Sequence, residues 1–374
     1  MAAKPLTEPE LLIAGGGPAG LACAIAARLS GLSAAVVDQG TPPIDKACGE
    51  GLMPGGVAIL NALGVHIDPD GCAPFTGIRY VDGDTVAEAD FPEGEGLGVR
   101  RLYLHRALVA RAEELGVALR WKTRFTGVDG ATLHTDAGPM TGGVLVAADG
   151  LQSPIRRWLG LDAGPAAHKR FGVRRHYRVP PWSPFVEVHW ADDCEAYVTP
   201  AGPERVGVAF LWSGRKARFD DLLSEFPALS ERLSGAAHDS RDRGAGPLRR
   251  DVLAVREGRV LLLGDAAGYR DAITGEGLSL AFHQAQALVD CVQRDALAEW
   301  PAAHRRICRV PTMLIDLILT FERRPWLRRR VVRALAADPE AFSRFLGVND
   351  GSLPLTALGP GVLARMGWRL LAQS

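Results

Sequence analysis

The chain has 374 residues, enough for two or three domain-sized units and an ample hydrophobic core. Its 47% hydrophobic and 23% charged residues are those of a soluble globular protein, and its 43 basic and 43 acidic residues cancel. A formal net charge of zero argues against bulk nucleic-acid binding.

An apolar strand, Leu11–Ala14, runs into Gly15-Gly16-Gly17-Pro18-Ala19-Gly20. An Ala-rich helix follows to about Ser30, then Gly31, then a second strand ending at Asp38. Gly15, Gly17 and Gly20 make G-x-G-x-x-G. The first glycine allows a tight turn, the second lets backbone approach a pyrophosphate, and the third lets helix and strand pack closely. The helix N-terminus offers free N–H groups and a positive dipole. Asp38 can accept from both hydroxyls of an adenosine ribose and would repel a 2′-phosphate, so the site suits FAD or NAD better than NADP.

Gln39–Gly56 is a loop rich in Gly and Pro, and Val57–Leu63 reads as a helix ended by Gly64. Phe75–Phe91 alternates around Asp82-Gly83, a hairpin signal. Leu102–Leu115 is an amphipathic helix ended by Gly116, and short strands follow to Thr135. Gly143–Ala148 is an apolar strand meeting Asp149-Gly150. From about Gly164 the texture changes: Phe171–Val179, Phe185–Trp190, Glu195–Thr199 and Arg205–Trp212 are short alternating runs that predict an antiparallel sheet. Asp220–Leu233 reads as a helix. Arg259–Leu263 is again an apolar strand, meeting Gly264-Asp265, and a helix runs from about Glu276 to Gln293. The tail from Trp300 to Ser374 reads as mostly helical. There Arg323, Arg324, Arg328, Arg329, Arg330 and Arg333 crowd between apolar residues, either as a solvated face or as a surface that meets lipid or an acyl substrate.

The six cysteines form no CxxC pair and have no His partners at metal spacing, so no metal site is expected and a reduced cytoplasm fits. MAAKPLTEPE has no apolar run before the first strand, so no signal peptide is expected. Met313–Phe321 is too short for a membrane span and carries Asp316.

Three ordered motifs carry the chemistry: the glycine fingerprint, D-G-x-x-S-x-I-R at Asp149–Arg156, and the late Gly264-Asp265 segment leading to Thr274-Gly275-Glu276-Gly277-Leu278. Both later stretches deliver an Asp at the carboxyl end of an apolar strand, where ligands of α/β sheets sit. Together they resemble the group A flavoprotein monooxygenases, the para-hydroxybenzoate hydroxylase-like FAD family. The wider superfamily includes geranylgeranyl reductases and flavin-dependent halogenases. The resemblance covers roughly Leu11 to Gln293.

It implies an α/β fold: a Rossmann-like FAD-binding domain built from separated segments (1–73, 100–163 and 251–300), an inserted antiparallel-sheet substrate domain (74–99 and 164–250), and a helical C-terminal region (301–374). It implies FAD as cofactor, with Gly15, Gly17, Pro18, Ala19 and Gly20 at the pyrophosphate and Asp38 with its neighbour Gln39 at the adenosine ribose. Gly264 and Asp265 fall at the ribityl chain, and Gly275, Gly277 and Leu278 beside the isoalloxazine. Arg101 matches an arginine that touches FAD near the pyrophosphate or ribityl, and could equally be a surface helix-start residue. Asp149 supports the FAD domain, or simply ends its strand, and Ser153 and Arg156 could cap and begin a helix. Lys46-Ala47-Cys48-Gly49 is similar to the K-x-C-G loop of the geranylgeranyl reductase-like branch, so Cys48 lies near the flavin and substrate or is a small residue in a tight loop.

No second G-x-G-x-x-G follows a strand, so NAD(P)H is expected as a transient reductant, with reduction by a redox or pathway partner protein also open. The leading expectation is a monooxygenase that hydroxylates an aromatic or phenolic-lipid substrate through a flavin C4a-hydroperoxide. The alternative is a reductase of carbon–carbon double bonds, since Thr274-Gly275-Glu276-Gly277 stands closer to the reductases. A halogenase and a flavoprotein maturation factor are lesser alternatives. A phenol hydroxylase needs a proton acceptor, for which His176, His189, Glu195 and Tyr197 are candidates on the inserted sheet. Strand parity puts Glu195, Tyr197 and Thr199 on one face.

Overall fold

A computed structural model describes residues 8–165 and 169–372. The expectation of a missing signal peptide falls mostly on residues 1–7, outside the described residues. Leu11–Ala14, Ala34–Val37, Val144–Ala147 and Val260–Leu262 are buried along their whole length. Such continuous apolar runs suit parallel strands covered on both faces. Leu11 pairs with Ala34 on one side and Val144 on the other, both in parallel. The sheet runs Arg256–Glu257, Val260–Leu262, Val144–Ala147, Leu11–Ala14, Ala34–Val37, Ala118–Arg120. Strands far apart in sequence therefore end at one edge, and Gly15, Asp149 and Asp265 follow directly from those ends.

A second sheet of eight strands centres on Arg170–Arg178, Arg205–Ser213, Cys194–Gly202, Phe185–Ala191, Gly77–Asp82 and Thr85–Asp90. It is antiparallel except at one joint: Phe185–Ala191 pairs in parallel with Gly77–Asp82. The expected hairpin closes at Gly83, whose φ of 60° admits glycine readily. The helix expected over Asp220–Leu233 is two short ones, Phe219–Leu223 and Pro227–Arg232. Pro227 has no N–H to continue the first, and Phe226 before it is non-helical.

The tail forms helices Trp300–Glu322, Pro325–Ala336, Pro339–Asp350 and Pro360–Ala372, the last three opened by prolines whose missing N–H is spare at that position. Leu314, Val332, Leu335 and Phe342 share one core with Ile78, Ala87 and Val188 of the inserted sheet. Arg328 is buried there and donates to Asp82 at 2.9 and 3.3 Å, tying the tail to the hairpin. Among the described residues no helix is long and apolar enough to cross a membrane.

Candidate active site

One cavity of about 1090 Å³ runs from the edge of the parallel sheet, past the Cys48 loop, to the tail helices. Its first part is built by the glycine turn. Gly15 has φ of 114°, and a Cβ there would lie 2.3 Å from the Ala148 carbonyl oxygen. A Cβ on Gly20 would lie 2.0 Å from the Gly15 carbonyl oxygen, so this glycine sets the helix–strand approach. Gly17 has open space around its Cβ position and lines the cavity with Pro18 and Ala19. Gly17 is also the N-cap of helix Pro18–Leu29, which lacks a side-chain cap. Its first N–H groups are thus available to an anion.

Asp38 sits beside this turn and accepts from Gly16 N at 2.7 Å and Gly40 N at 2.6 Å. One acceptor lone pair on each oxygen remains after these bonds. Sequence reasoning missed two neighbours. Trp121 covers Gly16 so closely that a Cβ there would meet its ring at 2.3 Å. His105 Nε2 donates to the Gly16 carbonyl at 2.9 Å, and burial lowers its pKa to about 4. Both lie in segments read only as helix and strand.

Gln39, Lys46, Arg101, Asp149 and Asp265 all line the cavity. The Asp265 carboxylate makes no hydrogen bond with the described residues, and burial raises its pKa despite Arg101 and Lys46 nearby. The buried Arg101 Nε and Asp149 Oδ1 also lack partners. The Asp265 carboxylate, without a partner at the cavity wall, calls for a polar ligand there. The residues therefore fit a dinucleotide such as FAD. Gly264 faces away: its N–H donates to Gln284 at 2.9 Å and its Cβ position lies 3.0 Å from Ala19. It shapes the turn that delivers Asp265.

The D-G-x-x-S-x-I-R segment is a strut. Ser153 caps the following helix at Arg156 N, 2.9 Å, and Asp149 Oδ2 accepts from Ile155 N at 3.2 Å. The buried Arg156 guanidinium donates to the carbonyls of Asp265, Ala266 and Leu151 at 3.3, 3.2 and 2.9 Å. It thereby ties the two strand ends together.

Gly275, Gly277 and Leu278 line the middle of the cavity, at the start of helix Gly277–Gln293. Opposite runs the Lys46–Met53 loop. Cys48 lines the cavity, its thiol pKa raised by burial, and its Sγ accepts from Glu50 N at 3.3 Å. Glu50 is a buried acid that sequence reasoning passed over. Its φ of 63° turns its carboxylate inward, onto His176 Nε2 and onto Arg101 N at 2.9 Å. Burial opposes its charge, but His176 and Arg174 outweigh that and hold the carboxyl below its usual range. His176, expected as a pocket base, is instead buried between Glu50 and Ser240, with Nδ1 2.9 Å from Ser240 Oγ.

Two further base candidates are corrected. His189 alternates away from Val186, Val188 and Trp190, which line the cavity, and sits 3.1 Å from Glu187. Glu195 shares a strand face with Tyr197 and Thr199, but only those two line the cavity. At Glu195 the cavity has ended and Arg170 closes over the strand. That guanidinium contacts Glu195, Asp271 at 3.0 Å and Glu322 at 2.8 Å, all buried. Burial pushes the Glu195 carboxyl up to about 8, with Arg170 opposing and Glu322 and Asp271 reinforcing the shift. Tyr197 does reach the cavity, where its hydroxyl donates to the Ile273 carbonyl at 2.8 Å and braces the segment before Gly275.

Beyond Tyr197 the walls become mostly apolar, with Arg328 and Asn349 the polar residues among them. Tyr80 stacks near Trp190 and Phe342, with centroids 5.9 and 5.0 Å apart. Leu314, Phe321, Val331 and Phe345 continue the lining. No sequence motif marks this arm; the only cue is the apolar content of the tail.

A family profile described as FAD binding domain matches residues 8–202. Menaquinone reductase of Mycobacterium tuberculosis is 26% identical over 326 residues, covering 78% of this chain and 79% of that protein. Digeranylgeranylglycerophospholipid reductase 1 of Methanothermobacter thermautotrophicus is 26% identical over 348 residues, covering 81% and 83%. Among solved structures, a flavoprotein/dehydrogenase from Cytophaga hutchinsonii superposes with a TM-score of 0.84 at 17% identity, covering 98% of this chain and all of that one, a likeness of fold.

Proposed function

The chain belongs to the FAD-binding domain family, and we propose that it is an FAD-dependent reductase that saturates a carbon–carbon double bond in a long apolar substrate of the polyprenyl-lipid class. The observation that carries the reading is the apolar arm, which continues the cavity from Gly275–Leu278 to the tail helices. Such an arm suits an extended chain more than a compact phenol. Two relatives named for menaquinone and for digeranylgeranyl lipids support the same class.

In this reading Gly17–Ala19 hold the pyrophosphate, Asp38 the ribose and Asp265 the ribityl chain, with Arg101 and Lys46 offsetting negative charge. FAD held there would, once reduced by a visiting NAD(P)H or a partner protein, supply the hydride. The apolar walls orient the alkene and exclude water. Saturation also needs one proton on the second carbon. Cys48 and Tyr269 both line the cavity, so a thiol and a phenol are at hand to supply it.

Hydroxylation, the leading expectation from the sequence, drew on the Asp149–Arg156 match and on Glu195, Tyr197 and Thr199 standing where isoprenoid reductases carry an aromatic strand, and it needs a proton acceptor on the sheet. The match is a strut that any member of the fold can use, Glu195 lies past the end of the cavity against Arg170, and His189 points to the opposite face of its strand. The test is anaerobic turnover. FAD-loaded protein, reduced and mixed with a polyprenyl quinone or lipid without oxygen, yields a product heavier by two hydrogens. A product that forms only with oxygen and gains one oxygen atom would return the assignment to hydroxylation.

A further inference from the structure

We propose that the helical tail docks on an anionic lipid bilayer and that the apolar arm opens there, whichever reaction the flavin end performs. Leu317 and Leu363 line the cavity, yet they are 42% and 54% exposed. They therefore mark a mouth between helices Trp300–Glu322 and Pro360–Ala372. Met313 is 45% exposed, one turn before Leu317. Exposed Arg306 lies two turns before Met313 on the same stripe, and exposed Arg323 and Arg324 follow the end of this helix.

The charge around the mouth is lopsided, although the chain as a whole is neutral. Apart from the buried Asp350, the tail's acids are already paired: Asp316 with Arg270, Glu322 with Arg170, Asp338 with Arg365, Glu340 with Arg344. Arg323, Arg324, Arg329, Arg330 and Arg333 have no acidic partner within 4.0 Å among the described residues. Helix Pro325–Ala336 turns Val332 and Leu335 to the core and Trp326 and Arg333 outward. Trp326 is 59% exposed under the Arg330 guanidinium, 5.5 Å from its ring centroid, and Trp368 is 73% exposed.

Exposed Trp and Leu with interspersed guanidinium groups are the composition of a surface that lies at a headgroup boundary. An acidic protein would match the charge, but it would leave apolar side chains spread over three helices without a common partner. With no membrane-crossing helix among the described residues, the chain would rest on the bilayer. A substrate chain could then pass from lipid into the arm without crossing water.

The test is sedimentation of the FAD-loaded full chain with vesicles. Phosphatidylcholine vesicles doped with phosphatidylglycerol should carry the protein down, and pure phosphatidylcholine should carry far less. Each arginine near such a surface contributes about fivefold in partition. Arg323→Gln/Arg324→Gln should therefore weaken binding about twenty-five-fold, with flavin content unchanged. Leu363→Gln, a second exposed change, should weaken binding to both vesicle types. Equal sedimentation with both vesicle types, or none with either, overturns the proposal. So does a dimer that Leu363→Gln converts to monomer, which would assign the mouth to a second copy of the chain.

Discussion

At the dinucleotide end of the cavity the wall is largely backbone; at the tail end it is side chains. Gly15, Gly17 and Gly20 act through what they lack, and within the same short stretch the chain makes strand, turn and helix. The tail end draws Tyr80, Trp190, Leu314 and Phe342 from four distant segments, each supplying a replaceable surface. A backbone cradle tolerates little change at Gly15 and Gly20, because an added Cβ there has nowhere to go. An apolar wall accepts substitutions of similar volume at modest cost. The two ends should therefore fail differently.

The largest effect is expected at the turn. Gly15→Val would press a branched side chain onto the Ala148 carbonyl, 2.3 Å from the Cβ position, at a φ of 114°. Expression should give no folded, yellow protein, as read by soluble yield and flavin absorbance. A well-folded, FAD-loaded variant would break the contrast. Next, Asp265→Ala should weaken FAD binding by about 1.5–3 kcal/mol, the scale of hydrogen bonds to a charged group, while the fold survives. Fluorescence titration of the apoprotein measures it, and unchanged affinity would remove Asp265 from the ribityl assignment.

A pH effect sharpens the comparison at the closed end of the inserted sheet. Glu195 has its pKa raised by burial to about 8 from an ordinary value of 4.5. For an acid shifted this way, the folded state binds the proton more tightly than the unfolded state. Its stabilising contribution is complete below about pH 4.5 and is lost as pH rises toward 8. Glu195→Gln should therefore flatten the fall in stability over that window, as read by denaturant melts across pH. A variant with the parent's slope would place the proton elsewhere in the cluster. The smallest effect is expected at His189, a half-buried group beside Glu187. His189→Ala should keep turnover within about twofold and cost under about 1 kcal/mol of stability. A large fall in turnover alone would mean that this side chain reaches the substrate.

The same contrast explains what could be read in advance. Leu11–Asp38 was legible because strand, turn, helix and acid are consecutive, and the strand-end acids Asp149 and Asp265 stand next to unmistakable apolar runs. Parity correctly grouped Glu195 with Tyr197. It could not say where along the strand the cavity ends, because Arg170, Asp271 and Glu322 close it from three remote segments. Glu50 escaped notice since its role depends on a left-handed backbone and on His176, 126 residues away. The arm of the tail has no local signature at all: amphipathic helices look alike whether they cover a core or line a passage.

The Arg170 junction also bears on how this protein could be re-engineered. Its four charged groups come from the inserted sheet, the segment before Gly275, and the end of the first tail helix. A chimera that borrowed the tail from a relative to change substrate preference would remove Glu322 and alter the charge around a buried guanidinium. The tail is thus not an exchangeable cassette. Arg170, Glu195, Asp271 and Glu322 should be transplanted as one set, and a library that varies the passage should hold them fixed.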